Sequence, residues 1–109
     1  MKRYFHTATL VGSHLYIFGG KDFQLRVNDL YDYNMDDGTC VLMRTGGSSP
    51  SARGAHTAVF YDGSIYIYGG SNGKAAVYND LYQYNICLIF NPFIIPSFLY
   101  ISNKPIEAT

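Results

Sequence analysis

Leu15-Tyr16-Ile17-Phe18-Gly19-Gly20 and Ile65-Tyr66-Ile67-Tyr68-Gly69-Gly70 follow one pattern, four apolar residues and a glycine pair, at an offset of 50 residues. The match extends in both directions. Upstream, Arg3-x-x-His6-Thr7-Ala8 corresponds to Arg53-x-x-His56-Thr57-Ala58 at the same offset. Downstream, the second copy gains one residue. Asn28-Asp29-Leu30-Tyr31-Asp32-Tyr33-Asn34 then matches Asn79-Asp80-Leu81-Tyr82-Gln83-Tyr84-Asn85. Three ordered blocks separated by a single one-residue gap exclude coincidence. A period of this size marks a solenoid, a propeller or an array.

Each unit reads as strands. His6 to Val11 is rich in β-branched, aromatic and small residues, and Gly12-Ser13 turns the chain. Asp62-Gly63 answers that turn in the second copy, and Asp-Gly between apolar runs is a strong hairpin signal. Leu15 to Phe18 is apolar throughout, which predicts a strand covered on both faces. Leu30 to Asn34 alternates, with Tyr31 and Tyr33 on one face and Leu30 and Asp32 on the other. Asp36-Asp37-Gly38 turns into a fourth short strand at Val41 to Met43. Four antiparallel strands per unit without a helix form one propeller blade, and stacked neighbours explain apolar runs on both faces.

These residues resemble the kelch repeats of galactose oxidase/kelch-type β-propellers. The resemblance rests on the Arg-x-x-His opening, the double glycine and the Asn-Asp-Leu-Tyr-x-Tyr strand, over residues 3–86. It implies an all-β fold of two four-stranded antiparallel kelch blades, too few to close a ring. The expected layout is repeat 1 at 1–50, an incomplete repeat 2 at 51–86 and an apolar non-repeat tail at 87–109. The resemblance also implies a Trp on the fourth strand, where Cys40 stands near that position. No return of the pattern follows Asn85, so the second unit is expected to lack its fourth strand.

The repeated residues have physical work to do. Gly19, Gly20, Gly69 and Gly70 sit at strand ends, where glycine admits positive φ and close backbone approach. Arg53 and Asp80 are expected to pair, within a blade or between blades, and to orient the loops, with Arg3 and Asp29 at the equivalent places. His6 and His56 recur at one place and are read as hydrogen-bonding within their own blades. Tyr31 and Tyr82 belong to the same structural motif.

Function is read from what remains. Eight basic and eight acidic residues give zero formal net charge, which argues against nucleic acid and anionic membranes. Charged residues make up 15% of the chain and aromatic residues 17%, which excludes intrinsic disorder. Cys40 and Cys87 form neither a metal motif nor a disulfide framework, and are expected as free, partly buried thiols. A cytoplasmic location follows from that reading. The tail from Ile86 to Ile101 is broken by Asn91, Pro92 and Pro96 and is short for a membrane span.

No nucleophile elbow or phosphate loop occurs, no cofactor is expected, and the chain is read as non-enzymatic. Gly46 to Ser51 reads as a flexible connection between blades. The favoured function is a scaffold that binds other proteins through its inter-strand loops, Lys21 to Val27, Ser71 to Tyr78 and Thr45 to Ala52. Lys21, Phe23, Arg26, Lys74 and Tyr78 are the candidate contacts. Two blades leave apolar faces open to association. The abrupt loss of the pattern at residue 86 leads to the expectation of a fragment of a longer propeller, against assembly with other chains to complete a ring or a tail folded back over the open face. The alternatives are a membrane-tethered or non-functional truncated product, and a piece of a copper oxidase-type propeller.

Overall fold

The computed structural model describes residues 2–86 and 99–104. Cys87 and most of the tail lie outside the described residues. The described residues are all β, with no helix, in two sheets that do not close into a ring. No described helix is long and apolar enough to cross a membrane.

The first sheet runs in chain order: β1 (Thr7–Val11), β2 (His14–Phe18), β3 (Leu30–Asn34) and β4 (Cys40–Leu42). All its pairs are antiparallel, with Thr7 opposite Phe18, Phe18 opposite Leu30 and Tyr31 opposite Leu42. The fourth strand begins one residue earlier than its sequence signal. The second sheet contains β5 (Thr45–Gly47), β6 (Thr57–Tyr61), β7 (Ser64–Tyr68), β8 (Leu81–Asn85) and β9 (Leu99–Lys104), in the order β5-β9-β8-β7-β6. The registers of β6, β7 and β8 repeat those of β1, β2 and β3, with Thr57 opposite Tyr68 and Tyr68 opposite Leu81.

Two expectations are corrected at the edge of the second sheet. The repeat pattern provides no fourth strand after Asn85, yet β9 pairs antiparallel with β8 there, Leu81 facing Lys104. An unpaired strand edge presents backbone donors and acceptors to any extended segment, whatever its side chains. The Gly46-to-Ser51 connection is also not a free linker. Its first residues lie in β5, which pairs parallel with β9, and Pro50 is buried.

Residue alternation decides how the sheets stack. On β2 and β3 of the first sheet, Tyr16, Phe18 and Leu30 share a face and are each 2% exposed or less. On the second sheet the opposite face is buried: Ile65, Ile67, Tyr82 and Tyr84. These two faces meet as one core, in which the Phe18 ring centroid lies 5.7 Å from that of Tyr84. Burying each aliphatic side chain contributes about 1.5–3 kcal/mol. Burial moves the Tyr16 hydroxyl up to about 12, with Asp32 adding to the effect. Among the described residues, the all-apolar strands are thus covered on one face only, because each sheet has one neighbouring sheet.

Candidate functional site

The repeated motif builds the same loop scaffold twice. In the second unit Arg53 is fully buried. Its Nη1 donates to Gly69 O at 3.0 Å and to Asp80 Oδ1 at 2.5 Å, and its Nη2 donates to Asp80 Oδ2 at 3.1 Å. Its Nε donates to Ser51 O at 3.0 Å. Arg3 repeats the core of this arrangement, donating to Gly19 O at 2.9 Å and to Asp29 Oδ1 at 2.6 Å. Each arginine therefore ties the first glycine of its pair to the aspartate before the next strand. Each pair lies within its own unit. The guanidinium of Arg3 also sits over Tyr31, and that of Arg53 over Tyr82, both at 5.4 Å.

The glycine pairs need their residue type. Gly19 and Gly20 have φ of 67° and 94°, and Gly69 and Gly70 have 72° and 98°. A Cβ on Gly19 would fall 2.8 Å from His56 Cε1, and one on Gly70 2.8 Å from Gly54 O. Side chains there would be strained and crowded at once.

The histidines correct the reading of bonds within each blade. His56 is buried, and its Nε2 lies 2.9 Å from Thr7 Oγ1 in the other unit. Its ring meets Phe18 edge-on at 5.0 Å between centroids. Burial pushes the imidazole down to about 4, so it is neutral near pH 7. His6, at the equivalent place, is exposed, because among the described residues no unit packs against it. The motif histidine is a joint between units. The internal offset showed that the two histidines were equivalent but not which neighbour each would meet.

The two glycine-pair loops stand side by side and enclose a groove of about 330 Å³. It is lined by Lys21, Gln24, Leu25 and Arg26 of the first loop, by Asn72, Gly73 and Lys74 of the second, and by Ala52 of the connection between the units. Three cationic residues line this space and no carboxylate does, and the Lys21 ammonium also lies 5.9 Å from the Tyr4 ring centroid. Asp22 is turned away, its Oδ1 accepting from the amides of Gln24 and Leu25 at 2.9 Å each. Those bonds hold its carboxyl below the usual carboxylate range. Asn72 caps the second loop in the same manner, accepting from the amides of Lys74 and Ala76.

Arg26 is packed rather than free. Its guanidinium lies 5.7 Å from the Phe5 ring centroid, and Nη1 is buried without a hydrogen-bond partner. A Cβ on Gly73 would fall 2.5 Å from its Nε, so that glycine makes the room.

Three of the five sequence candidates, Lys21, Arg26 and Lys74, therefore come together. The other two do not line this groove. Phe23 is 94% exposed and borders a second hollow with Lys2, Tyr4 and Asp22. Tyr78 lies under Arg53, 4.1 Å from guanidinium carbon to ring centroid. Gln24, Asn72 and Ala52 carried no sequence signal beyond their loop positions. Cys40 is free and exposed rather than partly buried, since the face carrying it has no neighbour. Among the described residues, no group of three or more His, Cys, Asp or Glu side chains could hold a metal ion.

Comparison with known proteins agrees with this geometry. A family model described as the KLHDC2/KLHL20/DRC7 Kelch-repeats domain matches residues 1–88. The chain is 34% identical over 91 residues to the leucine-zipper-like transcriptional regulator 1 homolog of Drosophila melanogaster, covering 77% of this chain and 9% of that protein. It is 34% identical over 88 residues to tip elongation aberrant protein 1 of Schizosaccharomyces pombe, covering 76% and 8%. With human Kelch domain-containing protein 3 the identity is 29% over 93 residues, covering 76% and 24%. The chain thus spans at most a quarter of the length of these relatives.

Proposed function

The chain belongs to the kelch-repeat family, and from that premise we propose that it is a protein-interaction scaffold whose groove takes an acidic segment of a partner protein. The observation that carries this reading is the lining of the groove. Lys21, Arg26 and Lys74 line one space without a carboxylate among them. Cations gathered on a rigid frame attract and orient a chain of opposite charge. The Arg3–Asp29 and Arg53–Asp80 pairs supply that frame by fixing both loop mouths.

In this reading the chain contributes two blades to a larger propeller and carries no chemistry of its own. The exposed thiol of Cys40 suits the reducing environment of the cytoplasm. The test is affinity capture with the full chain and with a Lys21→Glu, Lys74→Glu variant, each at low and high salt. Both side chains project from loops, so the variant keeps the fold. Recovery of specific partners should fall by about tenfold in the variant, and the wild-type signal should weaken with salt. Equal recovery by the two proteins would remove the groove from the account.

A further inference from the structure

The two open faces of the molecule are the two halves of the junction already buried at its centre. Inside, Tyr16, Phe18 and Leu30 of the first sheet pack on Ile65, Ile67, Tyr82 and Tyr84 of the second. Shifted by the repeat offset, the first set becomes Tyr66, Tyr68 and Leu81, which share the outer face of the second sheet. The second set becomes Leu15, Ile17, Tyr31 and Tyr33, which share the outer face of the first sheet. Every one of these equivalents is apolar or aromatic. Burial differs between positions that are otherwise alike: Phe18 is 1% exposed and Tyr68 44%, while Tyr84 is 1% and Tyr33 37%.

The polar fittings repeat as well. Across the central junction, Thr7 meets His56 and the Gly20 amide donates to Arg53 O at 2.9 Å. Their exposed counterparts are Thr57, whose hydroxyl reaches only the Tyr68 carbonyl of its own sheet at 3.5 Å, and the Gly70 amide on one side, and His6 and the Arg3 carbonyl on the other. A Cβ on Gly69 would meet nothing closer than 3.3 Å, which leaves the room that His56 fills beside Gly19.

From this correspondence we infer that a second copy of this chain docks head to tail. The first sheet of one copy stacks on the second sheet of another, with His6 set against Thr57 and Tyr68. The interface is heterologous, so each copy keeps one open face for the next until the rotation closes a ring. At two blades per chain, a ring of ordinary size takes about two to four copies. The inference rests on the blade faces and not on the loop groove, so the two stand or fall separately.

The experiment is sedimentation velocity on the full chain across a range of concentrations. Tyr33→Glu blocks one face and Tyr68→Glu the other, and circular dichroism checks that each variant is folded. The wild type should form concentration-dependent oligomers, and each variant alone should be a monomer. An equimolar mixture of the two variants should form a dimer and nothing larger, because one intact junction remains between them. A face-to-face dimer of like surfaces would not behave in this way. A second measurement needs no substitution: hydrogen exchange at the Gly70 amide should slow as concentration rises. A monomeric wild type, an oligomer indifferent to both substitutions, or a mixture that stays monomeric would each overturn the inference.

Discussion

The two units carry nearly the same motif and live in different surroundings. In the first, the face bearing Phe18 is covered and the face bearing Tyr33 is open. In the second the relation is reversed, with Tyr84 covered and Tyr68 open. The arginines differ likewise: the side chain of Arg3 is 10% exposed and that of Arg53 1%. Identical motif positions therefore hold unequal shares of the stability, and the share is set by which side has a neighbour.

That inequality can be broken at matched pairs of sites, measured by denaturant unfolding at one fixed protein concentration. The largest effect is expected at the arginines. Arg53→Ala removes the fully buried guanidinium and leaves Asp80, whose side chain is 26% exposed, without its partner, and should cost about 3 kcal/mol. Arg3→Ala, nearer to water, should cost about half of that. Equal losses would mean that each pair is stabilised within its unit and draws nothing from the junction.

Next come the strand centres. Ile67, wholly buried, should lose about 2–5 kcal/mol on change to alanine. Ile17, at the equivalent place on the open face, should lose about 1 kcal/mol. The glycine pairs sharpen the contrast. Gly19→Ala and Gly69→Ala share the cost of a left-handed backbone, but only the first drives a Cβ into His56 and Arg53 O. Gly19→Ala should therefore be the worse by about 1–2 kcal/mol.

The last contrast is one of pH. Burial lowers His56 to about 4 from an ordinary value of 6.5. The unfolded chain then binds a proton that the folded chain refuses. The stability His56 contributes is complete above about pH 6.5 and is lost as pH falls towards 4. A His56→Gln variant should show a flatter melting temperature over that window.

What was legible in the sequence was whatever the repeat states twice. The strand positions and the hairpin turns follow from residues that recur in register, as does the Arg–Asp pairing, but not that each pair closes within its own unit. What was not legible depends on place rather than on motif. His6 and His56 are indistinguishable in pattern, and only the presence of a unit in front decides which one is buried. Cys40 was expected to be partly covered and stands exposed for the same reason. The β5–β9 and β8–β9 pairings were invisible because backbone hydrogen bonds leave no mark in side-chain order. At the groove, Lys21, Arg26 and Lys74 were recognisable as loop cations. Their convergence came from two loops standing side by side, which no linear pattern states.

The glycine-pair loops differ by one residue between the units, yet both are closed alike. Val27 N donates to Gly20 O at 2.9 Å, and Tyr78 N donates to Gly70 O at 2.8 Å. The extra residue is taken up inside the loop, and β8 keeps the register of β3. Each loop is thus a socket with a fixed mouth and an adjustable depth. New segments can be spliced between Lys21 and Arg26, or between Ser71 and Val77, with the sheets left as they are. A designer could treat the pair as two neighbouring, independently variable display sites on a frame held by its arginines.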